Sequence, residues 1–167
     1  SVERIIFSCS ASEAALAALR IARANTGRNR IAKFEGGYHG VADDYMLSLH
    51  PFPELFPGPP GQPIPVPNSA GIPRHVRENV VVLPQNDLDA CTRILKAQAH
   101  DLACVVMELQ AGAGGVIMLD KEFVAGMRAL TKELGILLVI DETITFRAGY
   151  HGMQGIYGVT PDLTILG

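Results

Sequence analysis

The chain has 167 residues, a formal net charge of −3, and 48% hydrophobic against 19% charged side chains. That length suits one domain with a sizeable core, and that composition excludes a disordered chain. The mild acidity argues against a nucleic-acid partner, and no apolar run reaches the roughly 18–20 residues of a membrane span.

In chain order, Arg4–Cys9 (RIIFSC) is a short apolar run that reads as a first strand. Ser10-Ala11-Ser12-Glu13 fits a capping box, with Ser10 as cap and Glu13 reaching back. It opens an Ala/Leu-rich helix over Ala14–Ala24, with Arg20 and Arg23 in the last turns and Gly27 as stop. The small residues leave the first helical N–H groups, those of Ala11 and Ser12, open to an anion. A plain helix cap explains the same residues equally well. No GK[ST] follows, so this is not a Walker loop.

Arg30–Phe34 is the next candidate strand. Nine of the eleven prolines then fall between Pro51 and Pro73, a stretch that cannot continue a helix or a central strand. Its Phe52, Leu55, Phe56, Ile64 and Val66 are more than a solvated linker needs. A long excursion over the surface of a single domain is therefore expected.

Val80–Leu83 is strand-like, and Asp87 caps a helix with Leu88, Cys91, Ile94 and Leu95 on one face. Leu102–Leu109 is apolar but for the carboxylate of Glu108. Asp120 caps a helix in which Phe123, Met127, Leu130 and Leu134 repeat at helical spacing, stopped by Gly135. Ile136–Ile140 runs into Asp141-Glu142, and Leu163–Leu166 is the last strand. Continuous apolar strands alternating with amphipathic helices predict an α/β fold, a largely parallel sheet covered on both faces. Ligands in such sheets bind beyond the carboxyl ends of the strands. The stretches to search are Ser8–Ser12, Glu35–Gly40, Glu108–Gly115 and Asp141–Arg147.

Glu108 and Asp141 both stand at strand ends. Acid/base work, metal binding and pairing with a cationic ligand are all open to them from spacing alone. Gly112-Ala113-Gly114-Gly115-Val116-Ile117 fails as a dinucleotide fingerprint, because Ile117 stands where Gly or Ala belongs and no helix opens there. Cys9, Cys91 and Cys104 are odd in number and lack CxxC spacing, so buried thiols in a reducing, cytoplasmic compartment are expected. The five histidines show no ligand spacing, and no metal site is expected.

Five segments occur in order at fitting separations: FSCSASEAALAALRIAR, KFEGGYHG, VVMELQAGAGGV, LLVIDETITFR and GMQGIYGVTPDLTILG. Together they resemble the class III aminotransferases, which are pyridoxal-phosphate enzymes of fold type I. PVPNSAGIP and LPQND are similar to segments of the subgroup around glutamate-1-semialdehyde 2,1-aminomutase. The resemblance implies the three-layer large domain of that fold, with residues 1–167 as its central part and the excursion 51–73 within it.

It also implies a set of site residues. Ser10, Ala11 and Ser12 stand where the family has Ser-Gly-Thr and would hold the cofactor phosphate. Tyr38 would lay its ring on the pyridine face, with His39 nearby, and Asp141 would pair with the protonated pyridine nitrogen. Thr143 stands where the family usually has Val on the other ring face, which adds a hydroxyl in need of a partner. Leu109 for Pro, Ala113 for Asn and TFR for TGFR are further departures, and they bear on the aminomutase activity more than on the family.

In the family, DLTxLG is followed directly by the Schiff-base lysine. Here DLTILG ends at Gly167, and Lys33, Lys96, Lys121 and Lys132 do not match that position. The resemblance thus implies a piece of a longer homodimeric enzyme acting on small amino and keto or amino-aldehyde substrates, inactive by itself. A scaffold domain that kept the fold without catalysis, and a nucleotide-binding α/β module, are the alternatives.

Overall fold

The computed structural model describes residues 2–50 and 61–167. Helix α1 (Ala11–Thr26) leads to strand β1 (Arg30–Phe34), and a 3₁₀ turn (Arg74–Asn79) leads into β2 (Val80–Leu83). Then follow α2 (Leu88–Gln98), β3 (Leu102–Glu108), the short β4 (Gln110–Ala111) and β5 (Ile117–Met118), and α3 (Lys121–Leu134). The chain closes with β6 (Leu137–Asp141), a 3₁₀ turn (Thr145–Ala148), α4 (Gly152–Tyr157) and β7 (Leu163–Ile165).

Five strands form one sheet in the order β2-β1-β3-β6-β7, and every neighbouring pair is parallel. Side chains alternate across it and build two cores. Ile31, Val80, Val82, Val106, Val139 and Ile165 face α1, which presents Ala15, Ala18, Leu19 and Ala22. Ala32, Phe34, Val81, Leu83, Val105, Leu138 and Ile140 face α2 and α3, which present Cys91, Leu95, Phe123 and Met127. Helix, sheet and helix layers make the expected three-layer sandwich, and burial on both faces explains why the strands carry no polar alternation.

The helix signals act as read, with one difference. Ser10 Oγ accepts from Glu13 N–H (3.2 Å), Glu13 Oε2 accepts from Cys9 N–H (2.7 Å), and Gly27 closes α1 in the left-handed region. Asp87 Oδ1 accepts from Ala90 N–H. Asp120 occupies the cap position of α3 without a side-chain bond, and its own N–H donates to Asn86 Oδ1 (2.9 Å).

Three expectations are corrected. Arg4–Cys9 forms no strand: Ile5, Ile6 and Phe7 are exposed, and no ladder among the described residues accepts the segment. An apolar run becomes a strand only where another strand takes its backbone bonds. Cys9 is exposed, whereas Cys91 and Cys104 are buried as expected, and burial pushes both thiols up to about 12. In the proline stretch, Phe52, Leu55 and Phe56 lie outside the described residues. Ile64 and Val66 are exposed, so they do not dock the excursion. Backbone contacts do: Ser48 N–H donates to Val66 O (2.7 Å), and Leu47 bridges Pro67.

Phe34 and Phe123 meet edge to face, with centroids 5.8 Å apart, and tie β1 to α3. Phe123→Ala is expected to destabilise the fold by about 3–5 kcal/mol through lost burial and a residual cavity. Urea denaturation measures this, and a loss below about 1 kcal/mol would contradict the packing described.

Candidate active site

The chain runs from β1 outward to β2 and returns beyond β1 to β3, β6 and β7, so β1 and β3 flank the point where the strand order reverses. The region beyond their carboxyl ends is the usual ligand position in such sheets. Into it come the Gly36–Gly40 loop after β1, Glu108 at the end of β3, and Asp141 at the end of β6. Glu108 and Asp141 are register partners on neighbouring strands, so their side chains leave the sheet on the same face. That is the face covered by α1.

Asp141 is 6% exposed and makes three bonds. His39 Nδ1 lies 3.0 Å from Oδ2, and Thr143 donates to Oδ1 from both its N–H (3.0 Å) and its hydroxyl (2.6 Å). Burial pushes the carboxyl up, but the His39 and Thr143 bonds outweigh it and hold Asp141 below its ordinary value. An ionised carboxylate only accepts, so the His39 proton sits on Nδ1. Nε2 of that buried ring then has no partner among the described residues. The Thr143 hydroxyl, which needed a partner, finds it in Asp141.

Glu108 holds the loop from the other side: its Oε2 accepts from Tyr38 N–H (2.9 Å). Burial raises Glu108 above its ordinary value, with the His39 and Tyr38 contacts pulling the other way. Two adjacent carboxylates thus differ in character, one strongly bonded and ionised, the other pushed toward its proton.

The N-terminus of α1 lies at the same end of the sheet. Gly40, at φ +96°, is pressed against it: a Cβ built there would lie 2.5 Å from Ser12 Oγ and 2.8 Å from Ser12 Cα. A Cβ built on Gly167 would lie 2.7 Å from Thr143 Cγ2 and 3.3 Å from Ala11 Cβ. These contacts bring the start of α1 (Ser10, Ala11, Ser12), the loop of Tyr38, His39 and Gly40, and Asp141 with Thr143 to the same end of the sheet. Tyr38 is 42% exposed, with its ring outside the core. Gly112–Gly115 turns between β4 and β5, which pair antiparallel, and opens no helix.

Four contributors were given no role in the sequence reading. Tyr45 packs its ring edge on His39 (centroids 5.5 Å apart) and donates to Ala15 O (3.1 Å) on α1. Glu142, fully buried, serves the opposite layer: it accepts from Thr145 Oγ1 (2.6 Å) and from the N–H groups of Met153 (3.0 Å) and Gln154 (2.7 Å), which anchors α4. Lys33 and Glu35 lie beneath the loop, and burial moves Glu35 up to about 7. Strand alternation alone could have placed Lys33 inside, since its neighbours in β1 are apolar.

These features define a parallel α/β domain with a charged, hydrogen-bonded rim beside an open helix N-terminus. Residues 1–167 match the family model described as Aminotransferase class-III. A glutamate-1-semialdehyde 2,1-aminomutase 1 of Staphylococcus aureus strain Newman is 42% identical over 168 residues, covering 100% of this chain and 37% of that protein. An omega-transaminase from Sphaerobacter thermophilus is 40% identical, with a TM-score of 0.87 over 95% of this chain and 36% of that one. A transaminase with PLP bound is 32% identical, with a TM-score of 0.83 over 96% of this chain and 36% of that one. The chain belongs to the class III aminotransferase family. It spans 37% of the length of the S. aureus relative.

Two tests follow from the geometry. Gly40→Ala forces a Cβ into Ser12 at a backbone angle that L side chains rarely adopt, and is expected to destabilise the fold by about 1–3 kcal/mol, read as a shifted denaturation midpoint. Glu35 concerns pH. Burial raises its carboxyl from 4.5 to about 7, against the pull of Lys33 and the Ser48 hydroxyl. Between those values the folded chain keeps a proton that the unfolded chain has released, so stability falls as pH rises through that window. Glu35→Gln should flatten this decline in urea midpoints taken from pH 4.5 to 7, and an unchanged slope would count against it.

Proposed function

We propose that the chain forms the cofactor-binding face of a pyridoxal-phosphate enzyme that moves an amino group. The transfer runs between two substrates or, as in the glutamate-1-semialdehyde type, within one. In this reading residues 1–167 are the central part of the large domain of a cytoplasmic homodimer.

The observation that carries it is the bonding state of Asp141. An ionised carboxylate offers about four acceptor positions, and His39 and Thr143 fill three. One position is left, and it suits a single protonated ring nitrogen. The other end of the cofactor has its place in the open N–H groups of Ala11 and Ser12, where the helix dipole favours a phosphate. Ala11 in place of glycine costs no donor, and the Ser10 and Ser12 hydroxyls can add to the set.

Bound there, pyridoxal phosphate supplies a cationic ring that accepts electrons from a substrate carbon losing its proton. The residues serve that ring. Asp141 holds the proton on the ring nitrogen, and its depressed pKa keeps it charged for that task. His39 and Thr143 fix the direction of the carboxylate. The Tyr38 ring would cover one face and the Thr143 methyl the other, which would keep water off the ring.

Asp141→Ala in the full-length protein is expected to weaken pyridoxal-phosphate binding at least tenfold and to abolish amino transfer. Absorbance titration reads the first and amino-product assay the second. Unchanged binding and turnover in that variant would falsify the assignment.

A further inference from the structure

The loop that brings Tyr38 and His39 to Asp141 leaves β1 at Phe34 and closes back on Gly36 at Leu47–Ser48, where Leu47 bridges Pro67. Its closure is bonded at several points. Gly36 N–H donates to Ser48 O (2.8 Å), Tyr45 donates to α1, and the Lys33 ammonium donates to the carbonyl of Leu47.

Lys33 is the unexpected member. It is fully buried in a central parallel strand, and its register partners are Val82 and Val106. Such a position normally takes an apolar residue. Removing an ammonium from water is costly unless its protons are bonded, so a methionine would fill the volume with less penalty. Burial draws the amine down to about 8, against the opposing pull of Glu35 and Glu108. What the head group does accomplish is to hold Leu47, two residues beyond the Tyr45 ring that packs on His39.

We propose that Lys33 is a positioning residue for this site: bonded to the Leu47 carbonyl beneath the loop, it sets the place of Tyr45 and through it the contact of His39 with Asp141. The inference rests on the cofactor role of Asp141 and extends it. Lys33 makes no hydrogen bond to His39 or Asp141; its bond is to the Leu47 carbonyl, and it is charge-coupled to Glu35 and Glu108. A His39–Asp141 contact of 3.0 Å leaves little slack, because a bond of this kind is lost by about 3.5 Å. A small shift of the loop therefore frees the carboxylate from its partner.

The test uses the full-length protein with ¹⁵N-labelled histidine and lysine. In the cofactor-free wild type, His39 Nδ1–H should give a downfield resonance from its bond to Asp141. Lys33→Met is expected to abolish or broaden that resonance and to weaken pyridoxal-phosphate binding about tenfold. Its melting temperature does not discriminate, since a buried charge is removed while the Leu47 carbonyl loses its donor. A lysine with a merely structural role predicts the resonance and affinity intact in the folded fraction. That pattern overturns the proposal.

If Lys33→Met does not fold, the wild type decides. Its Lys33 ammonium should exchange slowly with solvent and correlate with the Leu47 carbonyl, and a fast-exchanging, uncorrelated ammonium overturns the clamp. Asp141→Ala separates the two ideas. Binding lost in that variant but kept in Lys33→Met defeats the clamp alone, while binding kept in Asp141→Ala defeats the cofactor assignment beneath it.

Discussion

The parallel register of β3 with β6 sets Glu108 beside Asp141 on one face of the sheet, both largely out of water. Two neighbouring buried carboxylates cannot both be charged without compensation, because burial and mutual repulsion each favour the protonated form. The surrounding residues resolve this unequally. His39 and Thr143 give Asp141 enough donors to remain ionised, whereas Glu108 receives the Tyr38 N–H and stays displaced toward its proton.

That arrangement depends on a loop, and loops hold position only where their backbone bonds are made. The segment from Gly36 to Ser48 is bonded to the sheet below, to α1 through Tyr45, and to the described part of the excursion through Ser48 and Val66. Gly40 lets the loop lie against Ser12, so the helix N-terminus and the carboxylate pair are held at a fixed separation. The proline-rich stretch thus contributes backbone bonds to the site from outside the sheet. On the opposite layer Glu142 ties down α4, so adjacent residues of one strand end serve the His39–Thr143 hydrogen-bond cluster and a structural anchor.

Much of this could be read in advance because it is local. Capping residues, glycine stops and helical spacing act within a few residues of themselves, and Ser10, Gly27, Asp87 and Gly135 behave accordingly. The continuous apolar strands implied two covered faces, whereas Ser10, Ala11, Ser12, Tyr38, His39, Asp141 and Thr143 were grouped only by resemblance to a family. Arg4–Cys9 could not be judged this way, since a strand needs a partner that its own residues do not specify. Ile64 and Val66 misled for a similar reason: hydrophobicity states what would favour burial, not whether a surface is there to receive it.

The sequence by itself determined the α/β class and placed the main strands and helices, because propensity, capping and pattern are short-range properties; candidate site residues came from the family resemblance alone. Only the tertiary structure decided that the His39 imidazole meets Asp141, that the Thr143 hydroxyl spends itself on the same carboxylate, and that Lys33 lies buried beneath the loop. Those contacts join residues up to 102 positions apart. Their charge states follow from burial and from neighbours that no segment of the chain contains by itself.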